Sequence, residues 1–146
     1  MSLLSNIQAA IKVAMKEKDK ARLTVLRSYT AAIKQREIDE QITLDDTGQL
    51  AVLDKLIKQR KDSESQFRDA NRADLADKEA YEIAVLSEFL PQPLSDDEIM
   101  AIIEDAITES GAENISAMGR VMNLIKPRVQ GRADMATISQ LVKAKL

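Results

Sequence analysis

An all-α fold is predicted by three observations. Apolar side chains recur at three- and four-residue spacing along most of the chain, the period at which a helix turns one face to a core. Four glycines and three prolines in 146 residues are too few for a sandwich or barrel, which needs a turn about every 8–12 residues. Hydrophobic residues at 45% against 31% charged supply enough apolar surface for a core, which excludes a wholly disordered chain.

The elements follow in order. Leu3, Ile7, Ala10, Ile11 and Ala14 share one face of a first helix, with Asn6, Gln8, Lys12 and Lys16 between them. The polar run Lys16-Glu17-Lys18-Asp19-Lys20 carries a turn, and Leu23, Leu26, Tyr29, Thr30 and Ile33 form the stripe of a second helix that closes a hairpin. Asp45-Asp46-Thr47-Gly48 interrupts the pattern. A third helix with Leu50, Leu53, Ile57 and Phe67 on one side ends near Asn71, and a fourth carries Ala76, Ala80, Ile83, Leu86 and Leu90.

Pro91-Gln92-Pro93 stops helix continuation, because each ring removes a backbone donor and disfavours the α region for the residue before it. This segment is the expected boundary between a larger N-terminal domain of about four helices, residues 1–90, and a smaller three-helix domain, residues 94–146. Ser95-Asp96-Asp97-Glu98 has the pattern of a capping box and opens a helix over Ile99, Ile102, Ile103 and Ala106 that ends at Gly111. A helix with Met118, Val121, Met122 and Ile125 is expected to close at Pro127 and Gly131. A last one runs from Asp134 through Ile138, Leu141 and Val142.

The chain has no Cys, His or Trp. Disulfides, thiolate or imidazole metal ligands, a cysteine nucleophile and a histidine base are thereby excluded. The densest carboxylates, Asp45-Asp46 and Asp96-Asp97-Glu98, read as loop and capping residues and lack the spacing of a calcium loop. No Gly-x-Ser-x-Gly elbow and no glycine-rich phosphate loop is present. The residues therefore predict no catalytic group, no cofactor and no metal. Without a basic segment leading into a long apolar run, the expectation is a soluble cytoplasmic protein without membrane contact.

The net charge of −3 is unevenly distributed. Residues 1–90 carry 15 basic and 16 acidic side chains, residues 91–113 carry none and seven, and residues 114–146 carry six and one. Arg120, Lys126, Arg128, Arg132, Lys143 and Lys145 can face phosphates, and Gly119 can admit a backbone closely. The competing reading makes Met118, Val121 and Met122 core, gives Gly119 to close helix packing, and has the cations solvate a face and offset the acidic helix before them. Asp134, as an N-cap, occupies the helix end where an anion would otherwise bind. A second basic stretch, Lys12, Lys16, Lys18, Lys20, Arg22 and Arg27, reads as a solvated helix end. With only Tyr29, Tyr81, Phe67 and Phe89 as aromatics, any RNA contact is to backbone and shape.

Five segments carry a family resemblance. They are Lys20-x-Arg22-Leu23-Thr24-Val25-Leu26-Arg27, Lys58-Gln59-Arg60-Lys61-Asp62-Ser63, Phe67-x-x-Ala70-Asn71-Arg72-x-Asp74-Leu75, Leu90-Pro91-x-Pro93-Leu94-Ser95, and Met118-Gly119-x-Val121-Met122 through Gly131-Arg132-Ala133-Asp134. Together they resemble the YqeY-like family, which is similar to the C-terminal tail domain of the B subunit of aspartyl/glutamyl-tRNA amidotransferase. The resemblance implies a larger and a smaller helical domain, and a family link to carbon–nitrogen ligase activity with glutamine as amido donor. It also implies tRNA docking through the tail, chiefly Arg120, Lys126, Arg128 and Arg132. Partners implied are tRNA and amidotransferase subunits, with a helical protein-interaction module as the alternative.

If residues 91–93 join two separately packed domains, limited proteolysis of the native chain cuts first between residues 90 and 95. A first cut inside the third helix would show that the boundary is misplaced.

Overall fold

The computed structural model describes residues 2–146, and among these it forms α-helices and one short 3-10 turn, with no strand. The helices are α1 (Leu3–Lys16), α2 (Lys20–Glu40), α3 (Asp46–Asp69), α4 (Ala73–Ser87), α5 (Asp96–Ser110), α6 (Met118–Val129) and α7 (Met135–Lys145), with the 3-10 turn at Ile115–Ala117. Packing divides the chain into two compact units, the first ending at Leu90 and the second spanning Pro91–Leu146.

In the first unit α2 packs against α1, α3 and α4, and α3 and α4 lie along one another. The apolar stripes meet in a core of Ile7, Ala14, Leu26, Tyr29, Leu53 and Leu86, each nearly or wholly buried. Short polar side chains start three of these helices: Ser2 accepts from the Ser5 N–H, Asp19 from Arg22 and Asp45 from Gly48. Each satisfies one donor that the helix itself leaves free. The chain reverses at Lys18, Gln41 and Asn71, all left-handed with φ between 53° and 58°.

Two sequence expectations shift here. Asp46-Thr47-Gly48 belongs to the first turn of α3, with only Asp45 outside it as the cap. The interruption therefore lies just before this tetrapeptide and at its first residue. α4 ends at Ser87 rather than reaching Leu90, because Leu90 precedes Pro91 and the α region is unfavourable there.

Two polar groupings fix how the helices meet. Gln49 is buried. Its Oε1 accepts from the Leu4 N–H at 3.1 Å, its Nε2 donates to the Leu44 carbonyl at 3.2 Å, and its own carbonyl accepts from the Tyr29 hydroxyl at 2.7 Å. One side chain and one carbonyl thus bind the start of α1, the middle of α2 and the loop before α3. Burial pushes the Tyr29 phenol well above its ordinary pKa, so it stays a donor across the accessible pH range. Farther along, the Arg60 guanidinium of α3 donates to Glu82 of α4 at 3.2 Å, to the Ser28 hydroxyl of α2 at 3.3 Å and to the Leu56 carbonyl.

In the second unit α6 packs on both α5 and α7. Ile103, Val121, Ile125, Val129, Ile138 and Val142 are fully buried between them. The expected capping box is formed: Ser95 Oγ accepts from the Glu98 N–H at 3.2 Å, and Glu98 Oε1 accepts from the Ser95 N–H at 3.2 Å. Those Ser95 donors hold the Glu98 carboxyl below its ordinary pKa. A carboxylate lowered in the folded state stabilises above the ordinary carboxylate range, and that contribution is lost as pH falls through the lowered value.

Pro127 does not close α6, contrary to the sequence expectation. The helix runs on to Val129 with Pro127 inside it. The missing N–H falls in the last turn, where it frees only the carbonyl of Asn123, an exposed residue that water reaches. The Gln130 N–H still donates to the Lys126 carbonyl, and Gly131 at φ 73° then turns the chain.

Replacing Gln49 with Leu leaves the partly buried Leu4 N–H and the buried Leu44 carbonyl without their partner, and it should cost about 2–4 kcal/mol. Tyr29→Phe, which removes a single donor, should cost about 1 kcal/mol. Urea unfolding of the full chain checks both, and equal costs would show that Gln49 is not the joint of the first unit.

Candidate functional site

The cations read from the sequence as candidate phosphate ligands all lie in the second unit, and its helices distribute them unequally. Arg120, Lys126 and Arg128 project from α6, Arg132 sits in the connection to α7, and Lys143 and Lys145 lie in the last turn of α7. The core face of α6 is set by Val121, Ile125 and Val129. At about 100° per residue, Arg120 points nearly away from that face, while Lys126 and Arg128 fall on opposite flanks about 160° apart. The three α6 cations therefore do not form one continuous patch.

Three of the six are engaged within the unit. Arg128 approaches Asp105 of α5 at 3.7 Å, and Lys145 donates to Glu104 of α5 at 3.0 Å. Arg132 donates from Nε to the Gln92 carbonyl at 3.0 Å, and its own carbonyl accepts from the Leu94 N–H at 3.0 Å. It thereby holds the segment leading into α5 against the α6–α7 connection. Its charge also contributes to lowering the Glu98 pKa, after the Ser95 hydrogen bonds.

Arg120, Lys126 and Lys143 are exposed, with no carboxylate within 4.0 Å among the described residues. A Cβ built on Gly119 meets nothing within 4 Å. The close helix packing weighed for that glycine is therefore absent, and its backbone faces open space. Val121 is core, with Met118 and Met122 partly buried against it. Asp134 caps α7 by accepting from the Ala136 N–H at 3.1 Å, so that helix end is already occupied.

The pairing of Arg128 and Lys145 with α5 had a legible signal, an acidic block followed by a basic one. The structural role of Arg132 had none, since it depends on a carbonyl brought close by a chain reversal. In the first unit Arg22 pairs with Glu88, the residue that caps the end of α4, so that member of the N-terminal basic stretch is not free either. Among the described residues no three acidic side chains come together as a metal site, and no helix is long and apolar enough to cross a membrane.

A family model described as "Yqey-like protein" matches residues 4–146. The chain belongs to the YqeY-like family. This YqeY-like chain is 38% identical over 116 residues to a protein of Lachancea thermotolerans named "Altered inheritance of mitochondria protein 41, mitochondrial". That alignment covers 77% of the chain and 62% of the relative. Proteins of the same name from Pyrenophora tritici-repentis and Saccharomyces cerevisiae are each 30% identical to it. They align over 98% and 77% of the chain, and over 82% and 64% of their own lengths.

These relatives are named as mitochondrial, which overturns the cytoplasmic placement expected from the sequence. The criteria behind that expectation test for a secretory or spanning segment. Targeting to other compartments uses amphipathic segments that such criteria do not detect.

If Arg132 is a structural residue of this YqeY-like chain and Arg128 is not, their substitutions separate. Arg132→Ala should destabilise by about 1 kcal/mol through the missing bond to the Gln92 carbonyl, whereas Arg128→Gln should change stability by less than about 0.5 kcal/mol. Denaturant unfolding measures both, and the reverse order would assign the structural role to Arg128.

Proposed function

We propose that this YqeY-like chain is an accessory module that docks on folded RNA of the tRNA class through phosphate contacts, in a role related to glutamine-dependent tRNA amidotransferases. It is a carrier or positioning element and not the catalytic part. Arg120 and Lys126 of α6, with Lys143 of α7, are the docking cations. One observation carries the reading: these three are exposed and lack a neighbouring carboxylate among the described residues, although the unit holds seven acidic side chains in residues 91–113. An unpaired surface cation keeps its full capacity to displace counterions from a phosphate, whereas a paired one must first give up its partner.

Family membership supports the accessory role through the resemblance to the amidotransferase tail. A transamidase must release ammonia and activate a carboxyl group. The sequence supplies no recognisable nucleophile with its base for the first step and no phosphate loop for the second. Those steps are assigned to partner subunits. Arg128 and Arg132 are set apart from the docking group, because one faces Asp105 and the other holds the Gln92 carbonyl.

Binding of a folded tRNA transcript by the full chain should weaken as salt rises. Arg120→Glu with Lys126→Glu should weaken it further and flatten the plot of log affinity against log salt by about 1.5, at roughly 0.7 to 0.9 for each phosphate no longer neutralised. Arg128→Glu should have a smaller effect, and little preference for sequence should be seen. Binding that ignores salt, or that survives the double reversal, would show that these residues only solvate α6.

A further inference from the structure

The near balance of charge in the first unit conceals a steep asymmetry. Residues 1–36 carry eight basic and two acidic side chains, whereas residues 37–90 carry seven and fourteen. α1 has Lys12 and Lys16 and no acidic residue. Its core face is set by Ile7 and Ala14. At about 100° per residue, Lys12 and Lys16 fall together on the opposite face, with Val13 and Met15 on either side of them.

Val13 is 52% exposed and Met15 54%. The Arg27 guanidinium of α2 reaches the Met15 sulfur at 4.0 Å. Of the two acidic residues, Asp19 is held as the cap of α2 by the Arg22 N–H. Among the described residues Lys12, Lys16, Lys18 and Lys20 are exposed and have no carboxylate within 4.0 Å. Lys18 is left-handed at φ 58°, a position that glycine would occupy with less strain.

We propose that the outer face of α1 and the α1–α2 turn form a docking surface for an acidic segment of a partner protein that also carries apolar side chains. The four lysines and Arg27 match carboxylates, and the apolar side chains of the segment cover Val13 and Met15, with the unbranched methionine adapting to their shape. RNA phosphates would use the cations and leave Val13 and Met15 uncovered. A bilayer surface requires a whole apolar helix face turned outward, and that face of α1 is already in the core with Ile7 and Ala14. The surface belongs to the first unit and does not rest on the RNA reading of the second.

The test uses the full chain and four probes: a synthetic helical peptide of glutamate and leucine, an all-glutamate peptide of equal length, a tRNA transcript, and vesicles of phosphatidylserine and phosphatidylcholine. The mixed peptide should bind more tightly than the all-glutamate one. Lys12→Glu with Lys16→Glu should weaken the mixed peptide about tenfold while changing tRNA affinity less than about twofold. Val13→Ser with Met15→Ser should weaken the mixed peptide about threefold and leave the all-glutamate peptide unchanged.

Arg120→Glu with Lys126→Glu should leave peptide binding as it was, which separates this surface from the RNA reading. If the glutamate pair lowers the melting temperature, Lys12→Gln with Lys16→Gln replaces it, with an expected weakening of about threefold. No peptide binding, equal binding of the two peptides, peptide binding indifferent to the substitutions, or a larger loss of tRNA or vesicle binding than of peptide binding would each overturn the proposal.

Discussion

The first unit is organised around a buried amide. A helix bundle can slide along its apolar stripes at little cost, since one methyl group substitutes for another in a contact. A buried polar group permits no such exchange, because each hydrogen bond it lacks carries a desolvation cost. The Gln49 amide has two bonds to place, one to the first turn of α1 and one to the loop entering α3, and its main-chain carbonyl accepts a third from the Tyr29 hydroxyl of α2. The rotation of α2 and the start of α1 follow from that requirement. Arg60 repeats the device at the other helix pairings, where Glu82 and Ser28 meet one guanidinium.

The second unit uses charge differently. Its acidic α5 lies against a basic α6, and the neighbouring pairs at Asp105 and Glu104 are exposed contacts of small energetic weight. Their effect is to divide the cations. Arg128 and Lys145 face carboxylates, Arg132 carries the chain reversal, and Arg120, Lys126 and Lys143 remain available. A cluster that is single in sequence is therefore two populations in space, one bonded within the unit and one not.

Both units thus present cations that their own carboxylates leave unmatched, against an overall charge that is slightly negative. Net charge is a poor guide in such a chain, because long-range attraction depends on local fields rather than on the sum.

The sequence by itself determined the helical class, the stripes at Ile7, Leu26, Leu53, Ile103 and Ile138, the capping box at Ser95 and Glu98, and the family. Each of these is written in local order: periodicity, a cap three residues from its partner, a motif in register. Tertiary structure decided what depends on residues far apart in the chain. Nothing in the local sequence marks Gln49 until Leu4 and Tyr29 are brought to it, and Arg132 reads as a phosphate ligand until the Gln92 carbonyl lies at 3.0 Å. Pro127 reads as a helix stop, yet its place in the last turn of an exposed helix edge costs only one bond. The basic stretch over α1 and α2 was visible as residues but was averaged away by fourteen acidic side chains between 37 and 90. Periodicity alone puts Lys12 and Lys16 opposite the core stripe of α1, but only the fold shows that Val13 and Met15 beside them stay exposed, because exposure depends on what the rest of the chain packs against the helix.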